Sequence, residues 1–234
     1  MWCRCSQRPP QIIHYQLLIV HYPLLIQKHI LPDNSLIAFW KMEETEEQLR
    51  TMCDLTDEDN NLIERCSAQK RRTELLAVRA LLKAVGINQT IHYNDRKPYL
   101  DDGYISISHS ANMAAIIWNK NFPVGIDIEK LSPRILRIAE RVFSDKELET
   151  AAGDIEKLTI MWNCKECVFK LANDEGIDFR EMIEVKNIPL VKRSRNGGLI
   201  EATLTKSGKI QHFSLFAMKV EDNTVVWGKG RLKS

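Results

Sequence analysis

The residues of this chain best suited to chemistry are two carboxylates spaced two apart in a β-like run, and an acid and a lysine spaced four apart in a helical one. In Val124-Gly125-Ile126-Asp127-Ile128-Glu129 the hydropathy alternates, so Asp127 and Glu129 share one face of a strand and Ile126 and Ile128 the other. Residues two apart on a strand are separated by about 6.5 Å, and two carboxylates that close repel each other unless a cation lies between them. Mg2+ suits such a place, because it takes oxygen ligands and needs few protein groups. The same six residues also suit an edge strand whose polar face is simply wet. Further along, Glu156 to Ala172 carries Leu158, Met161, Trp162, Val168, Phe169 and Ala172 at helical spacing. That helix puts Glu166 and Lys170 on one face, with Trp162 a turn before them. An exposed ion pair worth a few tenths of a kcal/mol is the plain alternative.

The candidate cations lie upstream. Ser67 to Val85 reads as a helix stopped by Gly86, with Lys70, Arg71, Arg72 and Arg79 crowded along its first half and middle. They form either a solvated basic face or an anion site, since guanidinium groups suit phosphate. Pro98 biases Lys97 toward an extended conformation. Asp101-Asp102-Gly103 reads as a hairpin turn before a strand Tyr104–Ser108, with Ser108-His109-Ser110 opening the next turn. Cys164-x-x-Cys167 sits mid-helix and lacks two further ligands at zinc spacing, so neither metal nor thiol redox chemistry is expected of it.

The elements that must position these groups are a mixture of both kinds. Leu36–Met42 has the composition of a strand. Thr45 with Gln48, and Ser144 with Glu147, have capping-box spacing, so Glu147 is read first as a cap. Asp57 to Asn61 reads as a helix start, and Ser132-Pro133 as another. Gly198–Lys206, Ile210–Val220 and Thr224–Lys229 read as strands. The 234 residues are ample for a real core. A net charge of +2 argues against a dedicated nucleic-acid binder. Six cysteines at spacings that fit no disulfide framework point to a reducing, cytoplasmic setting. In residues 1–22 an apolar run broken by His21 and Tyr22, and then by Pro23, is too short to span a bilayer. It lacks a small-x-small cleavage site and reads as an extension ahead of the domain.

Five motifs then occur in order: Lys97-Pro98-Tyr99, ISISHSA at 105–111, VGIDIE at 124–129, FSxxE at 143–147, and Trp162-x-x-Lys165-Glu166-Cys167-x-x-Lys170. Each is weak alone; together they resemble the 4'-phosphopantetheinyl transferase superfamily, in its larger, two-lobed Sfp-like type. Cys167, where that family commonly carries Ala, is a departure that leaves every charged group in place. The resemblance implies an α+β fold of two similar subdomains, 23–123 and 124–234, in pseudo-twofold arrangement with the active site in the cleft between them. It implies transfer of the 4'-phosphopantetheine arm of coenzyme A to a serine of an apo acyl or peptidyl carrier protein, with Mg2+, releasing adenosine 3',5'-bisphosphate.

The implied roles are Asp127, Glu129 and Glu166 as Mg2+ ligands, Glu166 also taking the serine proton, and Lys170 offsetting charge on the departing phosphate. Arg72, Arg79, Lys97, Ser108 and His109 would contact the nucleotide end, and Lys165 is a further candidate for the phosphate. A monomer with no nucleic-acid or membrane partner is expected. Two alternatives stand beside this reading: a Mg2+-dependent phosphodiester hydrolase, and a non-catalytic module that binds carrier proteins. The intact Glu166 and Lys170 weigh against the second. Whether the carrier serves fatty-acid, polyketide or peptide synthesis does not follow from the residues.

Overall fold

Leu36 to Trp40 is apolar at every position because both faces of that strand are covered. The computed structural model describes residues 25–188 and 198–230, so the expected extension of residues 1–22 lies outside the described residues. The chain runs β1 (Leu25–Ile30), β2 (Leu36–Lys41), α1 (Glu46–Met52), α2 (Asp57–Glu64), α3 (Gln69–Val85), β3 (His92–Asn94), β4 (Lys97–Tyr99), β5 (Tyr104–Ser110), β6 (Met113–Asn119) and β7 (Val124–Lys130). After a short 3-10 helix at Pro133–Arg137 come α4 (Ala139–Val142), α5 (Asp145–Ala151), α6 (Ile155–Ala172), α7 (Phe179–Met182), β8 (Ile183–Lys186), β9 (Gly198–Lys206), β10 (Lys209–Val220) and β11 (Asn223–Lys229). The fold is α+β.

Two antiparallel sheets carry it, ordered β1-β2-β6-β5 and β7-β11-β10-β9-β8, with β3-β4 as a separate hairpin. Alternation decides the layers. Ala38, Trp40, Ala114 and Ile116 face α3 and pack on Leu75, Leu76, Val78 and Leu82. The intervening Ile37, Phe39, Ala115 and Ile117 point the other way, onto Ile126, Ile128, Val225 and Trp227 of the second sheet. The opposite face of that sheet packs Ile200, Ala202, Leu215 and Val226 against Met161, Cys164, Val168 and Leu171 of α6. The expected capping boxes form at Thr45 and Ser144, and α3 ends at Gly86 with φ 84°, a left-handed turn that glycine adopts without cost.

Two sequence expectations are corrected. The strand Tyr104–Ser108 runs on through His109 and Ser110, which belong to β5 and not to a turn. Their polarity misleads because the serines of this strand turn toward the edge of β7, where they are buried: Ser106 Oγ accepts from Ile126 N at 3.1 Å and Ser108 Oγ from Ile128 N at 3.3 Å. Hydroxyls thus stand in for a strand partner along the line where the two sheets meet. The hairpin turn is also misplaced. It lies at Asp95-Arg96, with Asp95 at φ 53°, a conformation Asp tolerates better than most residues. Asp101 to Gly103 instead links β4, which pairs with β3, to β5, which pairs with β6.

Cys164 and Cys167 are fully buried in α6, and burial raises both thiols well above their ordinary value. Burial outweighs the nearby Lys165 and Lys170 charges, and a buried thiol kept protonated is inert. Cys164→Ala with Cys167→Ala should lower the melting temperature but hold turnover within about tenfold, roughly 1.4 kcal/mol of barrier. Abolished turnover in a protein that still folds would show that thiol chemistry had been wrongly dismissed. Among the described residues no helix is long and apolar enough to cross a membrane.

Candidate active site

Close approach of α6 to β7 assembles the site, and Gly125 allows it. A Cβ there would stand 2.8 Å from Leu171 Cγ and 3.0 Å from the Cys167 carbonyl oxygen. With the helix so near, Lys170 Nζ reaches Asp127 Oδ1 at 2.8 Å and the Ile126 carbonyl at 2.9 Å. Ser108 Oγ donates to the same Asp127 Oδ1 at 2.7 Å. Asp127 Oδ2 is buried without a hydrogen-bond partner. Burial works against the Lys170 ammonium, but the charges of Asp127 and Glu166 outweigh it and hold its pKa above the ordinary value.

These groups line a cavity of about 370 Å³ together with Glu129, Trp162, Glu166, Ile107, His109 and Arg71, and with Tyr93, Arg96 and Pro98 from the β3-β4 hairpin. Burial, then the Asp127 charge, pushes the Glu166 carboxyl up to about 7. The same two causes push Glu129 up to about 7, although the Trp162 indole hydrogen-bonds its carboxylate. His109 is pushed the other way, to about 4, first by burial and then by Arg71 and Lys170. It is therefore neutral near pH 7, and its Nε2 is buried without a partner.

Three expected phosphate contacts are engaged elsewhere. Arg79 is buried, donating from Nε to Asp59 Oδ1 at 2.6 Å and from Nη1 to the Leu75 carbonyl. Arg72, seven residues earlier and so on the same helix face, donates to Glu46 and to the Cys66 and Ser67 carbonyls. Lys165 has no exposed surface and is held by Glu147 at 2.8 Å and by the Phe179 and Ile183 carbonyls at 2.6 Å each. Those three acceptors use all three ammonium donors, leaving none for a ligand. Glu147 is correspondingly a structural group: it caps α5, accepts from Val185 N and holds Lys165. Lys97 is exposed on β4, beside the lining residues Arg96 and Pro98.

The arginine that does face the cavity is Arg71, one residue from the expected position and therefore about 100° around the helix. Its Nη1 pairs with Glu74 at 3.0 Å. Arg96 was missed because its place in a hairpin turn carries no periodic signal.

Lys165→Ala should cost about 3–5 kcal/mol of stability by leaving Glu147 buried and unpaired. Adding Glu147→Gln should recover part of it. Denaturant titration of both variants checks this, and a stable Lys165→Ala protein with weakened nucleotide binding would return Lys165 to the cavity.

Residues 123–225, which include β7, α6 and β11, match the model of the 4'-phosphopantetheinyl transferase superfamily. Residues 123–225 are similar to that superfamily's domain, over less than half of this chain. The chain is 37% identical over 78 residues to 4'-phosphopantetheinyl transferase Sfp of Bacillus subtilis (strain 168), covering 31% of this chain and 34% of that protein. It is 33% identical over 107 residues to 4'-phosphopantetheinyl transferase gsp of Aneurinibacillus migulanus, covering 42% of this chain and 45% of that one. The chain thus spans less than half the length of these curated relatives. The matched residues 123–225 contribute Asp127, Glu129, Trp162, Glu166 and Lys170 to the cavity, and the preceding residues contribute Arg71, Arg96, Ser108 and His109.

Proposed function

We propose that the protein transfers the 4'-phosphopantetheine arm of coenzyme A to a serine hydroxyl of an apo acyl or peptidyl carrier protein. The observation that carries this reading is the convergence of three acids, Lys170, Arg71 and Arg96 on one cavity between the two sheets. A pyrophosphate needs cationic partners at its oxygens, and its cleavage by a hydroxyl needs a base beside them.

The donor set fits a hard divalent cation. Asp127 Oδ2 is buried and unpartnered, and the raised Glu129 and Glu166 carboxyls would ionise fully beside positive charge. Among the described residues no three His, Cys, Asp or Glu side chains form a ready-made cage, which suits an ion that takes part of its shell from pyrophosphate oxygens. Asp127, Glu129 and Glu166 would hold Mg2+, which when bound supplies charge neutralisation at the pyrophosphate.

The chain's own groups do the rest. Glu166 accepts the proton of the carrier serine as its oxygen bonds to the phosphorus that bears the pantetheine arm. The bond from that phosphorus to the bridging oxygen breaks, and adenosine 3',5'-bisphosphate leaves with the bonding electrons. Lys170, held against Asp127, stays charged and faces the charge gathering on the leaving group. Arg71 and Arg96 bind phosphate oxygens, Arg71 by exchanging Glu74 for them. Neutral His109, whose ring hydrogen-bonds the Glu74 backbone, lines the cavity without adding charge.

Incubation of the purified protein with coenzyme A, Mg2+ and several apo-carriers should add one phosphopantetheine to a carrier, read by intact mass. Cleavage of coenzyme A without carrier modification would instead identify a hydrolase. Tight carrier binding without any turnover would identify a binding module.

A further inference from the structure

Ser108 was expected to touch the nucleotide, yet its hydrogen bonds point away from that role. A phosphate oxygen needs a donor, and a serine hydroxyl has one proton to give. Ser108 gives it to Asp127 Oδ1 at 2.7 Å, and its oxygen accepts from Ile128 N at 3.3 Å. Asp127 Oδ1 also accepts from Lys170 at 2.8 Å. One carboxylate oxygen is thus held from two sides, by a short side chain fixed on β5 and by a longer one from α6. The other oxygen, Oδ2, is left buried and unpaired.

Resting on the function proposed above, we infer that Ser108 is a positioning residue: it fixes the Asp127 carboxylate so that Oδ2 is presented to the divalent cation, and it does not bind coenzyme A. Ser106 supplies an internal control. It makes the same kind of contact to β7, accepting from Ile126 N at 3.1 Å, two residues away on the same strand face. Its recorded bond is to backbone and not to a carboxylate.

The test compares Ser108→Ala and Ser106→Ala in the full chain. Mn2+ is titrated with coenzyme A present and followed by loss of the free-ion electron paramagnetic resonance signal; coenzyme A binding in excess chelator is measured by calorimetry. Ser108→Ala should weaken Mn2+ binding by about tenfold or more, the usual cost of removing a group that orients a ligand. Its coenzyme A affinity in chelator should stay within about twofold of wild type, well under the 1.4 kcal/mol that a tenfold change represents. Ser106→Ala should lose melting temperature while binding Mn2+ like wild type.

Weaker metal-free coenzyme A binding in Ser108→Ala would overturn the inference in favour of a direct contact. An equal loss of Mn2+ affinity in both variants would overturn it in favour of a merely structural seam. If wild type modifies a carrier and binds Mn2+ but Ser108→Ala binds it as tightly, the positioning role alone falls. If wild type binds no Mn2+, the metal reading falls with it.

Discussion

Glu166→Gln should lower carrier modification by about 10²–10⁴-fold, the range typical of a lost general base, while leaving the fold intact, because Gln keeps the size of the side chain. The pH profile carries the sharper signature. A base works only when deprotonated, and the Glu166 carboxyl is pushed up to about 7 by burial and by Asp127. At low Mg2+ the wild-type rate should therefore fall as pH drops below about 7. A bound cation favours the carboxylate, so this acidic limb should move to lower pH as Mg2+ is raised. Rates from carrier mass between pH 5.5 and 8.5, at two Mg2+ concentrations, test both statements. A Glu166→Gln protein that keeps its rate within tenfold and keeps the limb would remove Glu166 from the chemistry.

Glu129→Gln should stabilise the metal-free protein above pH 7 and at the same time abolish the extra stability that coenzyme A gains from Mg2+. Glu129 is raised from an ordinary 4.5 to about 7 in the folded protein, by burial and then by Asp127. The folded state thus holds a proton that the unfolded state has already lost. The resulting stability is full below about 4.5 and is lost as pH rises through about 7. Glu166 follows the same sign over the same window. His109 runs opposite: held down to about 4 from 6.5, it contributes fully above 6.5 and loses that contribution as pH falls.

The wild-type curve is a sum of these contributions, so the measured quantity is the difference between variant and wild type. Melting temperatures in chelator should diverge in favour of Glu129→Gln from about pH 5 to 8. With coenzyme A and Mg2+ the order should reverse, because only folded wild type gains the linked binding energy. A variant that melts below wild type at pH 8 in chelator would mean that Glu129 is not a strained acid waiting for a cation.

Local rules made much of this protein legible. The alternation in VGIDIE put Asp127 and Glu129 on one face of β7. The helical spacing of Leu158, Met161 and Val168 set the face of α6 that carries Glu166 and Lys170, and the Thr45 and Ser144 capping boxes marked two helix starts. Each depends on residues within a turn or two of one another. The five motifs in order brought a resemblance that residues 123–225 bear out.

What the chain could not reveal by itself were choices between equally good local answers. Arg71, Arg72 and Arg79 are alike in type, and only the packing of α1 and α2 on α3 turns Arg72 onto Glu46 and Arg79 onto Asp59, leaving Arg71 for the cavity. Lys165 and Lys170 are alike too, but α7 and β8 close over one of them. Ser108 looked like a nucleotide contact because nothing local says that its partner is a strand from the other sheet. A side chain's type and spacing determine what it can do; its partners lie far off in sequence, so tertiary packing decides which of several similar side chains is left free to do it.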